Sequence, residues 1–282
     1  MAHSYLTNEA LFFIQQMRAG RKQPGKSIAT MNPRLLLFFM FFAAFSSPTA
    51  AQQDTAIWIR LNRIRTNLTS IPLKNFSLQY ERVLGKRFSA AISGRLMPES
   101  SLPLKRLILS AIDENQVTKD LIGKMHVSNW AITPELRFYP GKKGYGQGWY
   151  IALFYRHAQY TSNDFIVRYA DYGGTDGTVL LSGKLVSNTG GLLLGLQKML
   201  GKSLSLDLWL LGPHIGGGRG DFTGIPDRPL TADEQEELRE ALEDIQISHV
   251  RSSATVDSHF ASLKLNGLWG GVRAGVSLGV RF

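Results

Sequence analysis

Residues 270–282 read GGVRAGVSLGVRF, and the alternation within them decides the fold. Val272, Ala274, Val276, Leu278, Val280 and Phe282 share one face of an extended chain, while Gly271, Arg273, Gly275, Ser277, Gly279 and Arg281 share the other. Successive side chains of a strand point to opposite sides. This is therefore a strand with one wholly apolar face and one face carrying two arginines. The stretch is expected to be a last strand that pairs with the first, with Phe282 at a membrane boundary and no polar tail after it.

The same period of two recurs upstream. Asn75–Val83 sets Phe76, Leu78 and Tyr80 against Ser77, Gln79 and Glu81. Arg87–Leu96 sets Phe88, Ala90, Ile92, Gly94 and Leu96 against Ser89, Ala91, Ser93 and Arg95. Asn129–Tyr139 sets Trp130, Ile132, Leu136 and Phe138 against Thr133, Glu135, Arg137 and Tyr139, and Ser203–Leu210 sets four leucines against Ser203, Ser205, Asp207 and Trp209. With Thr55–Leu68, Gly148–Tyr160, Thr189–Met199 and the C-terminal stretch, eight strands are expected. In Thr55–Leu68 the register slips around Asn62 and Arg63, as at a bulge. A ten-stranded alternative arises if Phe165–Tyr172 and Val179–Ser182, flanking GGTDG, form an extra hairpin rather than extensions of strands five and six.

Short and long connections alternate. Gly85-Lys86, the PGKKGYGQG run from Pro140 and Gly201-Lys202 read as tight turns; Pro98–Met125, Thr161–Asn188 and Gly216–Asn266 read as long loops, with a brief first loop at Ser70–Lys74. Thr231-Ala-Asp-Glu234 is a capping box opening an acidic helix to about Ile245. Leu102–Ile122 is expected to be partly helical.

The polar faces hold both signs of charge: Glu81, Glu135 and Asp207 with Arg95, Arg137, Arg156, Arg273 and Arg281. A soluble sandwich would turn such faces to water and gives no reason for tight turns at one end only. A closed barrel pairs these charges inside and turns the apolar faces to lipid, the arrangement in which strands satisfy every backbone polar group within a bilayer. The reading is all-β: an antiparallel transmembrane up-and-down barrel with long extracellular loops that carry a short helix. Phe88, Tyr139, Tyr145, Trp149, Trp269 and Phe282 are expected in interfacial girdles.

Composition bounds the rest. With 282 residues and 44% hydrophobic content the chain is not a disordered polymer. It has no cysteine, which excludes disulfides and thiolate chemistry. The net charge of +10 carries no basic run with interleaved aromatics, so nucleic acid is not an expected partner. Met31-Asn-Pro-Arg34, the apolar LLLFFMFFAAF and the small-residue exit before Gln52 read as a cleavable signal peptide over 31–51. Eleven apolar residues reach only about 16 Å, against a hydrocarbon core of roughly 30 Å. Residues 1–30 are expected to be an upstream extension, with translation starting at Met31 and the barrel occupying 52–282.

NLTSIPLKNFSLQYERVLGKRFSAAI, AITPELRFYPGKKGYGQGWYIALFYR and LNGLWGGVRAGVSLGVRF resemble an uncharacterised family of outer-membrane barrels from Bacteroidota, one labelled only as a domain of unknown function. The resemblance covers most of residues 57–282. It implies an outer-membrane protein of a Gram-negative bacterium. It also implies that the Val276, Leu278, Val280 and Phe282 face resembles the signal read by the barrel-assembly machinery. It implies no catalytic residue.

Eight strands leave an interior just wide enough for side chains to fill. The expected role is therefore non-enzymatic, structural or in binding, with external loops meeting a ligand, outer-membrane lipid, a surface glycan or another envelope protein. A rim-active hydrolase or acyltransferase is the second reading and a narrow solute channel the third. Enzymatic candidates are His126, His157, His214 and His259 with Ser128, Ser162, Asp164, Asp221, Asp257 and Ser258. No GxSxG or HExxH motif occurs, and neither a cofactor nor a metal site is expected. A His with Ser or Asp within about 3 Å at the outer rim favours an enzyme; a continuous water-wide lumen favours transport, and a lumen closed by Arg/Glu pairs with neither favours the binding or structural reading. Asn67-Leu-Thr69, Asn75-Phe-Ser77 and Arg219-Gly220-Asp221 are discounted as incidental tripeptides.

Overall fold

The computed structural model describes residues 60–101, 103, 126–169, 177–243 and 249–282. The expected segments 1–30 and 31–51 lie outside the described residues, as does the helical stretch read at Leu102–Ile122 apart from Pro103.

Nine strands follow in order: β1 (Asn62–Asn67), β2 (Phe76–Val83), β3 (Phe88–Ser101), β4 (His126–Phe138), β5 (Gly148–Tyr169), β6 (Gly177–Leu200), β7 (Leu204–Pro226), β8 (Val250–Val256) and β9 (Ala261–Arg281). One helix, α1 (Ala232–Glu243), precedes β8, and a 3-10 segment (Leu68–Leu73) joins β1 to β2. Strands β1 to β7 pair in sequence, β7 pairs β9, and β9 returns to β1. Eight antiparallel strands thus close a ring, and β8 lies outside it, paired to β9. The closing seam runs from Arg63↔Arg281 to Asn67↔Ser277.

The two faces sort as the alternation requires. Leu78, Ile92, Leu136, Leu153, Leu192 and Ile215 point outward and are exposed, and 28 large apolar side chains of the described residues are exposed in all. That is far more than scattered surface hydrophobes. Inside lie Glu81, Glu135, Arg137 and Asp207, each buried. A fold with charge within and leucine without is the inverse of a soluble domain and matches a transmembrane barrel. Phe88, Trp149 and Phe282 are exposed near the tight-turn end, as a girdle requires. Tyr139 and Trp269 are corrections: Tyr139 is fully buried, and Trp269 packs within the tall end against Tyr160, ring centroids 5.7 Å apart.

Most of the expected loop Thr161–Asn188 is strand, and Gly216–Asn266 holds the end of β7, α1, β8 and the start of β9. β5 and β6 stay paired up to Tyr169↔Gly177, with one register shift between Ser162 and Phe165, which resolves the strand count in favour of extensions over an extra ring hairpin. β7 runs to Pro226 and pairs there with Val179. The slip expected near Asn62 is absent, since Asn62↔Arg82 and Arg63↔Glu81 belong to one unbroken register. An irregularity occurs instead in β7 between Trp209 and Gly212, where the inward side changes from Trp209 to Gly212 and His214.

The wall is very uneven. At roughly 3.3 Å per residue and a tilt near 40°, the six residues of β1 rise about 15 Å and the 24 of β6 about 60 Å. A lipid-facing band is about 25 Å tall. Strands β5, β6, β7 and β9 therefore extend well beyond it.

Candidate functional site

The lower lumen is a plug of charge. Glu81 accepts a hydrogen bond from Arg65, is 3.2 Å from the Arg63 guanidinium, and accepts from Ser89 at 2.5 Å and Tyr139 at 2.9 Å. Arg137 donates to Asp207 at 2.8 Å, to Glu135 at 2.8 Å and to Gln79 at 3.2 Å, and lies over the Tyr150 ring. Asp207 also accepts from Tyr150 at 2.8 Å and from the Trp209 indole at 3.0 Å. Glu135 accepts from Arg273 at 2.9 Å. Glu81 and Asp207 are thus each met by arginine and by neutral donors, and Glu135 by two arginines, the arrangement that lets buried charge persist. At the tight-turn mouth Arg63 donates to the Tyr145 carbonyl at 2.7 Å, and a Cβ at Gly146 would overlap its guanidinium. The turn therefore tucks under the plug.

Of the residues expected in this network, Glu81, Glu135, Arg137, Asp207 and Arg273 meet. Arg95 and Arg156 also face the lumen but sit higher, on the wall of a cavity above the plug. Arg281 is a correction: it reaches the carbonyls of Lys202 at 2.9 Å and Gly201 at 3.1 Å, tying down the β6–β7 turn at the rim. Arg63 and Arg65 are the members sequence reading missed. Their signal is the alternation Arg63, Arg65, Asn67 against Ile64, Thr66, Leu68, hidden by the slip assumed there.

The enzymatic candidates remain dispersed. Ser258 and His259 approach at 2.7 Å, yet both are neighbours on an exposed turn, and the Asp257 carboxylate accepts from the His259 backbone N–H at 2.8 Å instead of orienting the ring. His157 meets Asn188 at 2.8 Å on the outer surface, and His214 is buried edge-on to Phe154. His126, Ser128 and Ser162 lie on strands β4 and β5, Asp164 lies at the irregular step of β5, and Asp221 faces out from β7. Among the described residues no group of three His, Cys, Asp or Glu could hold a metal ion.

No family model matches this chain, and no curated protein matches it. Among solved structures it is similar to the translocator domain of autotransporter NalP from Neisseria meningitidis. The identity is 9%, the match covers 89% of this chain and 95% of that one, and the TM-score is 0.29. A likeness of that size carries no weight, and the fold rests on the ring of paired strands.

Above the lumen the tall strands form a second structure. Leu181, Leu185, Phe222, Leu263 and Leu265 on their inner faces pack with Leu238 and Leu242 of α1 in one apolar cluster. α1 presents these leucines four residues apart and leaves Asp233, Glu236 and Glu240 exposed. Its capping box forms as expected: the Thr231 N–H donates to Glu234 at 2.8 Å, and the Glu234 N–H donates to the Thr231 hydroxyl at 3.4 Å. Arg228 and the Thr231 N–H hold the Glu234 carboxyl down to about 2. A depressed carboxyl contributes stability above its unfolded value near 4.3 and loses it as pH falls toward the folded one. Thr231→Ala is expected to cost about 1 kcal/mol, raising hydrogen exchange at residues 232–243 about five-fold at pH 6. Lowering pH from 5 to 2 is expected to loosen the same helix in the unmodified chain, and unchanged exchange in both experiments would contradict the cap.

Proposed function

We propose that this chain is an outer-membrane barrel of a Gram-negative bacterium that works by binding at its tall end, not by conduction or catalysis. The carrying observation is a division of labour along the axis. The tight-turn end is stopped by a buried ionic plug, while the other end is built up by four long strands, β8 and α1 into a packed platform. Against a channel stands the plug; against a rim enzyme stands the Ser258–His259 pair, whose imidazole has no carboxylate on it. In this reading the tight turns face the periplasm and the platform faces outward, where another envelope protein, a surface glycan or lipid is met. Membership of the Bacteroidota family that the sequence resembles, export by the 31–51 signal and assembly through the Phe282 strand belong to the same proposal.

Two measurements test it. Outer-membrane fractions are expected to contain a form that changes gel mobility on boiling, the behaviour of a closed barrel; recovery of the protein as a soluble periplasmic species would defeat the reading. Affinity capture from intact envelope is expected to lose its partner when α1 is replaced by a short polar turn while mobility on boiling is retained. Capture unchanged by that replacement would move the binding role off the platform.

A further inference from the structure

The outer face of the tall wall changes character at a definite height. Outward residues of β9 are apolar or glycine from Val280 to Leu268. At roughly 3.3 Å per residue and a tilt near 40° that stretch rises about 30 Å, close to a lipid band of about 25 Å. On β6 the change falls at Asn188, which lies level with Leu268 through Gly217 of β7. Asn188 accepts from the Tyr155 hydroxyl at 2.6 Å and meets the His157 ring at 2.8 Å. A tyrosine with its ring among apolar residues and its hydroxyl on a polar partner marks the edge of the lipid layer.

Cations begin immediately above that edge. Across β6, β7, β9 and β8 the next outward row is Val186, Arg219, Asn266 and Arg251, and the row after it is Lys184, Asp221, Lys264 and Ser253. A third row, Ser182, Thr223, Ser262 and Thr255, carries hydroxyls alone. Lys184, Arg219, Arg251 and Lys264 are all exposed, and none of them makes an ion pair among the described residues. Two residues of a tilted strand rise about 5 Å, so the arginines stand about 5 Å and the lysines about 10 Å above the last apolar row. Headgroups add roughly 5–8 Å to each side of the hydrocarbon core. The cations therefore lie at the depth of lipid phosphates. They form two diagonal pairs, Lys184 with Arg219 and Lys264 with Arg251, each within mutual reach of long side chains. The pairs are two strand spacings, or about 10 Å, apart.

We propose that this face binds an outer-leaflet lipid whose sugar headgroup carries two phosphates. Each Lys–Arg pair closes on one phosphate through charge-assisted hydrogen bonds. The spacing of the pairs suits phosphates at the two ends of a disaccharide, and the hydroxyl row above them suits the sugar. A glycerolipid with one phosphate would engage one pair and leave the hydroxyl row to water. Acyl chains then run down the apolar face below, so the surface is continuous with the lipid band. The inference rests on the reading that the tall end faces outward, and it concerns the wall below the platform, separately from what the platform binds.

The test uses the full chain in maltoside micelles, with diphosphoryl lipid A, monophosphoryl lipid A and phosphatidylglycerol offered at equal concentration and retention read by native mass spectrometry. Diphosphoryl lipid A is expected to be retained at least about five-fold over the other two. Lys184→Gln and Arg251→Gln, one from each pair, are each expected to weaken that retention about five-fold, the effect of one cation beside anionic lipid. Asp221→Asn, which removes the acid between the pairs, is expected to strengthen it by a similar factor. These side chains are exposed, so the boiling-dependent mobility is expected to persist in all three variants. Lys142→Gln with Lys143→Gln removes two cations at the tight-turn end and is expected to leave retention unchanged. Equal retention of phosphatidylglycerol, or an equal loss in the Lys142 and Lys143 variant, would reduce the surface to a general attraction of charge and overturn the site. The chain has no cysteine, so Ile225→Cys at the exposed upper end of β7 reports orientation through a membrane-impermeant maleimide. Labelling on intact cells with no lipid retained would overturn this surface alone, whereas labelling only after lysis would overturn the outward reading on which it rests.

Discussion

Glu81→Leu is expected to lower folding stability by about 3–5 kcal/mol, the cost of breaking a buried ion pair from one side. Glu81 lies between Arg65 and Arg63 and also receives Ser89 and Tyr139, so its loss removes four partners at once. The effect is worsened by the inventory of the lumen. Because four arginines (Arg63, Arg65, Arg137 and Arg273) meet three carboxylates among the described residues of the plug, deleting an acid enlarges the imbalance and deleting an arginine reduces it. Arg65→Leu is therefore expected to cost less than Glu81→Leu, although Arg65 is equally buried. The double replacement Glu81→Leu with Arg65→Leu is expected to recover part of the loss, since an apolar pair leaves no stranded charge between them. Urea unfolding of the chain refolded in vesicles measures all three. Equal costs for the two single variants would contradict the charge inventory, and a loss under about 1 kcal/mol for Glu81→Leu would show that water reaches the plug.

Most of the ring was legible because each strand face is uniform. Phe88 to Leu96 and Trp130 to Phe138 sort inside from outside by parity alone, and the inward set already contained Glu81, Glu135, Arg137 and Asp207. The cavity arginines were legible as inward residues too, but their separation from the plug depends on strand heights that pairing sets. What misled was glycine. Gly183 and Gly216 punctuate segments read as loops, because glycine is depleted in strands, and Gly191 lies in one read as a strand. In the structure they sit inside β6 and β7, where a Cβ would overlap a neighbouring strand's backbone: the Asp221 carbonyl at Gly183, the Pro213 carbonyl at Gly191 and the Asn188 carbonyl at Gly216. These positions carry glycine for close approach across the sheet. β8 escaped for another reason, since Val250–Val256 is short and polar and becomes a strand through its pairing with Leu263 and Leu265 of β9.

Close approach also makes Gly279, in the GVSLGVRF stretch, the most sensitive small residue of the seam. It faces Arg65 across the β1–β9 junction, and a Cβ there would overlap the Ile64 carbonyl oxygen and lie 2.6 Å from the Arg65 Cα. Those atoms are backbone, so no side-chain rotation makes room; β1 itself has to move. The junction is five register pairs long, and β1 has no other route to closing the ring. A strand edge opened in hydrocarbon leaves donors and acceptors unpaired at several kcal/mol each, which approaches the whole stability of a typical domain, about 5–15 kcal/mol. Gly279→Ala is therefore expected to abolish the folded, boiling-sensitive form rather than to weaken it. Gly94→Ala is the matched control, because its Cβ would point from the outer face of β3 with nothing within 4 Å. It is expected to fold like the unmodified chain. Normal mobility for Gly279→Ala would mean that β1 and β9 do not close the barrel at this register.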